Sequence, residues 1–107
     1  MNNSAIQTGV IDLRKGFKNL AAVKAKNKAI GNYWFTKKTM SFFKSRIESG
    51  LIKGMYFITS EQIDERFERL YSVRKAMPDG EIQTIGGFQG YKTKEAAKAA
   101  ITKLIHP

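Results

Sequence analysis

The chain has 107 residues, no cysteine, and 19 Lys and Arg against 9 Asp and Glu, which gives a formal net charge of +10. This length fits one domain, and the absence of thiols excludes disulfide and thiolate–metal frameworks. No apolar run approaches the roughly 20 residues of a membrane span, and residues 1–16 lack the pattern of a signal peptide. We therefore expect a cytoplasmic protein whose basic surface meets an anionic partner.

The first 30 residues are basic and are predicted to be partly helical. Apolar residues that include Phe17 and Leu20 have helical spacing between residues 10 and 30. A basic tract follows, formed by Lys24, Lys26 and Lys28. It is either a linker or a continuation of the helix with a solvated lysine face. We place the boundary at residue 30 and expect residues 31–107 to form the α-β-β-β-α domain.

A second helix is predicted between residues 36 and 50. Thr36 is a good N-cap and Gly50 a good C-terminal stop. One apolar stripe supports this helix, formed by Met40, Phe43 and Ile47. Phe42 lies off the stripe, so it is either a second packing face or an exposed platform.

Three segments have the composition of strands, namely residues 53–61, 69–77 and 81–88. The segment EQIDERFERL after the first strand indicates a loop or helical turn. Pro78 and Gly80 predict a tight turn, so the last two strands form an antiparallel hairpin. Thr93 then caps an alanine-rich final helix. The sequence therefore predicts an α+β fold: a three-stranded antiparallel sheet packed by two or three helices in a single domain.

Nothing in the sequence points to catalysis. The only histidine is His106, near the C-terminus, which disfavours histidine-based triads. The carboxylates of Asp64, Glu65 and Glu68 alternate with arginines, a pattern typical of a self-paired surface rather than a metal site. No phosphate-binding glycine loop is present. We predict a protein that is not an enzyme and that uses no cofactor and no metal.

Basic residues interleaved with aromatic ones are the remaining signal, and they predict contacts with a DNA or RNA backbone. The candidate binding residues are Lys37, Lys38, Lys44, Arg46, Arg74, Tyr91, Lys92, Lys94 and Lys98. Lys94 and Lys98 lie one helical turn apart, and Lys92 precedes a helix whose free N–H groups favour phosphate. The alternative is a solvated lysine face. Trp34 and Phe43 are predicted to be buried.

Part of the chain resembles known nucleic-acid-binding modules. The segment RLYSVRKAMPDGEIQTIGGFQGYKTKEAAKAAI resembles the three-strand-plus-helix module that ends DNA-binding domains of the integrase arm-binding and AP2 kinds. The run KTKEAAKAA is also similar to the last helix of double-stranded RNA-binding domains. The second resemblance implies phosphate contacts through Lys92, Lys94 and Lys98.

Residues 32–101 as a whole resemble small uncharacterised proteins of phages and mobile elements. The residues that carry this resemblance include Asn32, Trp34, Phe35, Met40, Phe42, Phe43, Ser45, Arg46 and the run TIGGFQGY. It implies a phage or mobile-element origin and an alternative function, inhibition of a host defence enzyme such as a CRISPR effector. The partner would then be a host nucleic-acid-binding protein complex. A structural or assembly role is the third possibility.

Overall fold

The computed structural model describes residues 16–106, which contain three helices and four strands. In chain order these are α1 (Leu20–Ala29), α2 (Lys37–Ser41), β1 (Arg46–Ile47), β2 (Tyr56–Glu61), β3 (Leu70–Ala76), β4 (Ile82–Ile85) and α3 (Lys94–Ile105). None of these helices is long and apolar enough to cross a membrane. The part of the first predicted helix before residue 16 lies outside the described residues.

The four strands form one antiparallel sheet in the order β1-β2-β3-β4. Ile58 of β2 lies opposite Val73 of β3, and Val73 lies opposite Ile85 of β4. The predicted α+β class and the antiparallel hairpin of β3 and β4 are therefore confirmed. The predicted number of strands was wrong, because the sheet has four strands and not three.

The extra strand, β1, arises inside the segment that was predicted to be one long helix. Thr36 caps α2 as expected and accepts a hydrogen bond from the Thr39 N–H at 3.4 Å. The helix nevertheless ends at Ser41, and Lys44 adopts a left-handed φ of 52°. Pairing of β1 satisfies backbone groups on the outer edge of β2, a long-range gain that local spacing does not reveal. The apolar stripe that ended at Ile47 therefore does not lie on one helix.

Helix α1 begins later than the sequence pattern predicted. Gly16 has a φ of +77°, and a Cβ there would overlap the carbonyl oxygen of Gly54. The Phe17 N–H donates a hydrogen bond to that same carbonyl at 2.8 Å. This bond fixes residues 16 and 17 against the β1–β2 connection, just before α1 begins. Asn19 supplies the N-cap. The lysine tract of residues 24–28 lies within α1, so it continues the helix and is not a linker.

The local signals around the β3–β4 turn and α3 are confirmed. The Gly80 N–H donates to the Met77 carbonyl at 2.8 Å, and Gly80 has a φ of +99°. Thr93 caps α3 and accepts a hydrogen bond from the Ala96 N–H at 3.0 Å. Each of these signals acts over a few residues, which is why sequence reasoning found it.

The sheet separates two buried regions. On the α3 face, helix α3 packs against β2 and β3 through a cluster of Tyr56, Ile58, Val73, Ala97 and Ile101. The opposite side, which we name the Arg74 face, is covered by α1 and by the segment before α2. There Phe17 and Val23 pack with Ala76, while Trp34 and Phe35 contact Phe57. The fold is thus a sheet between a helix on one side and a helix with an aromatic segment on the other.

Candidate functional site

A buried ion pair lies at the centre of the Arg74 face. The Nη2 atom of Arg74 is 2.8 Å from Oε2 of Glu61, which is fully buried. Glu61 also accepts hydrogen bonds from the hydroxyls of Ser72 and Thr59, and Arg74 donates to the hydroxyls of Thr59 and Thr84. Alternate residues of three strands point to the same side, so the strand period brings these groups together. Such pairing is what makes two buried charges tolerable.

The loop after β4 folds over this network. The Gln89 N–H donates to the Ser72 hydroxyl at 2.8 Å, and the Gln89 amide donates to the Glu61 carbonyl at 2.9 Å. These contacts place the neighbouring Phe88 ring 5.5 Å from the Arg74 guanidinium. The Trp34 ring lies 5.2 Å from the same group. The guanidinium is therefore covered by two aromatic rings, with cation–π attraction to both.

Trp34 is held in place by a buried amide of α1. Asn27 Oδ1 accepts a hydrogen bond from the backbone N–H of Trp34 at 2.7 Å. Asn27 Nδ2 donates to the Gly80 carbonyl and to Asn32 Oδ1, each at 2.9 Å. The Trp34 ring also meets Phe57 edge to face at 5.8 Å. One side chain thus connects α1, the β3–β4 turn and the tryptophan.

Above Arg74 lies a concave site of about 490 Å³, which we name the aromatic pocket. Its lining residues are Trp34, Lys38, Thr39, Met40, Phe42, Phe43, Ser45, Arg74 and Phe88. The volume is in the range of small-ligand sites. Phe42 is 78% exposed although it is a large apolar side chain. The pocket therefore has mainly aromatic walls, with two cationic side chains, Lys38 and Arg74, among its lining residues.

A second concavity of about 560 Å³ adjoins the pocket, and the two share Met40 and Ser45. We name it the basic groove; its charged lining residues are Lys37, Lys44, Arg46, Arg69 and Glu65. Arg69 is held by hydrogen bonds from Nη1 to the carbonyls of Lys44 and Ser60. The groove thus carries four cationic side chains and one carboxylate.

The carboxylates between β2 and β3 leave this groove positive. Glu65 lies 3.9 Å from Lys44 Nζ, and both side chains are largely exposed, so the pair contributes little. Asp64 pairs instead with Arg66, whose side-chain and backbone hydrogen bonds lower the pKa of the Asp64 carboxyl. The expected pairing within the acidic segment is therefore observed for Asp64, whereas Glu65 pairs with Lys44, outside that segment.

The predicted binding residues other than Arg74 fall into two groups. Lys37, Lys38, Lys44 and Arg46 lie around α2 and β1, at the β1 edge of the sheet. The other group is Tyr91, Lys92, Lys94 and Lys98, on or just before α3. Tyr91 is half-buried and exchanges backbone hydrogen bonds with Tyr71. The basic groove is lined by members of the first group and by none of the second.

Arg74 is also placed differently from the other candidates. Arg74 was predicted to contact the partner from the surface, but its side chain is buried beneath the aromatic pocket. Trp34 and Phe43, predicted to be buried, are both half-buried and line the pocket. Phe42 is the exposed platform that was one of its two predicted alternatives.

Sequence reasoning missed the pocket itself, and with it Glu61 and Phe88. A signal was present: polar residues alternate along the strands at Thr59, Ser72 and Thr84 as well as at the ion pair. Such alternation predicts a polar face. The aromatic residues that cover this face come from segments far apart in the chain, so their contact could not be predicted from local sequence.

The fold and site together define a small α+β protein with a four-stranded antiparallel sheet and an aromatic pocket beside a basic groove. A family model matches residues 19–102, and the chain belongs to that family, the family of unknown function DUF7447. The match runs from the N-cap of α1 into the C-terminal part of α3, so it includes the pocket and the groove. No curated protein and no solved structure matches the chain.

Proposed function

We propose that this protein binds nucleic acid, DNA or RNA, and holds the sugar-phosphate backbone in the basic groove. The observation that carries the proposal is the position of Lys37, Lys44, Arg46 and Arg69 around one concavity next to an aromatic pocket. Cationic side chains along a groove with adjacent rings are the usual means of binding a nucleic-acid strand.

The mechanism is electrostatic and needs no chemical step. Each phosphate neutralised by a lysine or arginine releases condensed counterions, so affinity falls as salt rises. Arg69 is fixed by two backbone carbonyls and is a pre-oriented donor, whereas Lys37 and Lys44 are exposed and adaptable. The net charge of +10 adds long-range attraction. We regard the protein as a non-enzymatic accessory factor of phage or mobile-element origin.

The test is a fluorescence-anisotropy titration with labelled single- and double-stranded DNA and RNA at about 50 and 200 mM salt. A groove variant, Lys37→Gln with Lys44→Gln and Arg46→Gln, is compared with an α3 variant, Lys92→Gln with Lys94→Gln and Lys98→Gln. Both variants remove three positive charges. We expect the groove variant to lower the salt slope by about 2, and the α3 variant to lower it much less.

Two outcomes would overturn this proposal. If none of the ligands binds at low salt, the protein is not a nucleic-acid-binding protein. If the α3 variant loses more affinity than the groove variant, the nucleic acid binds at α3 and not in the basic groove.

A second candidate function is supported by the exposed aromatic ring of Phe42 beside the basic groove. Such a patch also suits docking on a protein. In this alternative the protein is a phage-encoded inhibitor that binds a host defence enzyme such as a CRISPR effector. It predicts no nucleic-acid affinity for the protein alone, together with loss of target cleavage when the protein is added to the purified effector.

A further inference from the structure

We propose that the aromatic pocket receives one unpaired nucleobase from a single strand whose backbone lies in the basic groove. This inference rests on the proposed function and adds the class of nucleic acid to it. It is carried by three features of the pocket: a buried guanidinium with spare donors, aromatic walls, and continuity with the positive groove.

The guanidinium of Arg74 has hydrogen-bonding capacity left after the ion pair is formed. Arginine carries five N–H donors. Within residues 16–106, Arg74 makes three hydrogen bonds, to Thr59, Glu61 and Thr84. Its side chain is only 8% exposed, yet it lines the pocket. Acceptor atoms on a base edge, a carbonyl oxygen or a ring nitrogen, are groups that the remaining N–H donors can bind.

The walls of the pocket provide ring surface for stacking. Phe42 and Phe43 have ring centroids 4.6 Å apart, and Phe43 lies 5.1 Å from Phe88. The Trp34 ring lies 5.2 Å from the Arg74 guanidinium. Stacking of a base on such a ring contributes about 1–3 kcal/mol and tolerates different bases, because every base has a π face.

The adjoining groove favours a nucleotide over an apolar side chain of a protein. The pocket and the groove share Met40 and Ser45, so one ligand can occupy both. A nucleotide joins an aromatic base covalently to an anionic phosphate, which matches an aromatic pocket beside four cationic residues. In a duplex the base edges are paired and the base faces stacked, so we expect the site to select single strands.

The only tryptophan of the chain, Trp34, lines the pocket and makes it directly observable. The probes are an oligothymidylate of about ten nucleotides, an abasic strand of the same length, and a duplex of the same length. We expect the oligothymidylate to bind most tightly and to quench Trp34 emission. The abasic strand should bind more weakly and leave the emission unchanged.

The variant that isolates the pocket is Phe42→Ala, and its matched control is Phe67→Ala. Phe67 is also largely exposed, at 60%, and does not line the pocket. Neither change alters charge. Loss of one stacking contact should weaken oligothymidylate binding about 5- to 100-fold for Phe42→Ala. The control should stay within about twofold, since it removes no such contact.

The outcomes separate this inference from the proposed function. Equal binding of the abasic strand and the oligothymidylate, without quenching and with no effect of Phe42→Ala, overturns the base pocket while backbone binding in the groove stands. Tighter binding of the duplex also overturns the base pocket. Failure of every probe to bind at low salt overturns both proposals. Circular dichroism of both variants establishes that each is folded.

Discussion

The two faces of the sheet are buried by different means. On the α3 face, a helix covers apolar side chains such as Ile58, Val73 and Ile101, and burial alone stabilises the contact. On the Arg74 face, an ion pair and hydroxyl groups lie under aromatic rings. A polar network of this kind is costly unless every member is satisfied. The Arg74 face therefore combines an apolar cluster of Phe17, Val23 and Ala76 with a polar network that lies beneath the aromatic pocket.

The exposed lysines of α3 and those around α2 and β1 differ in their surroundings. Those of α3 extend from a helix whose other side packs on the sheet. Those around α2 and β1 lie beside a pocket and flank a groove. Both clusters contribute to the net charge, and the aromatic pocket and the basic groove adjoin the cluster around α2 and β1. Four substitutions test this difference.

The largest effect should come from removing one partner of the buried ion pair. Glu61→Ala leaves the Arg74 charge buried without its carboxylate, and we expect a loss of about 3–5 kcal/mol in the free energy of unfolding, measured with urea. The double change Glu61→Leu with Arg74→Met removes both charges and should recover most of that loss. A double variant no more stable than the single one would contradict the proposed role of the pair.

On the α3 face, Ile101→Ala should lower the free energy of unfolding by about 3 kcal/mol, because it leaves a cavity against β2 and β3. Ile101 is almost fully buried among apolar neighbours. Nucleic-acid affinity, measured by anisotropy where the variant remains folded, should be unchanged. A loss of affinity in the folded variant would show that the two faces are coupled.

Asn27→Ala should lower the free energy of unfolding by about 2 kcal/mol, because it leaves the buried Gly80 carbonyl and the half-buried backbone N–H of Trp34 without their partner. Trp34 fluorescence should shift, since the tryptophan loses its anchor. The control is Asn19→Ala, which removes the N-cap of the same helix and should cost about 1 kcal/mol. If both variants shift the fluorescence equally, Asn27 has no special role in positioning Trp34.

The smallest effect is expected for Glu65→Gln in the basic groove. Its carboxylate is largely exposed and pairs weakly with Lys44, so stability should change little. Affinity for an oligonucleotide at low salt should rise about two- to fivefold, because one repulsive charge leaves the groove. Unchanged affinity would place the bound backbone away from this residue.

Much of the fold follows from short-range signals in the sequence. The caps at Thr36 and Thr93, the turn at Gly80 and the strand character of β3 each depend on a few neighbouring residues. Side-chain capping and glycine's access to positive φ act within one turn of chain. These elements were therefore predictable, as were the antiparallel hairpin and the α+β class.

The remaining features of the fold and the site depend on contacts between distant segments. The pairing of β1 with β2 outweighed a helical pattern, because strand formation depends on its neighbours more than on its own residues. The lysines around α2 looked like those of α3 in sequence, and tertiary packing placed two of them, Lys37 and Lys44, in the basic groove. Trp34, Arg74 and Phe88 meet only because Asn27 and Gln89 hold their segments over the sheet. The candidate site is therefore a product of long-range packing, while its charge was present in the sequence alone.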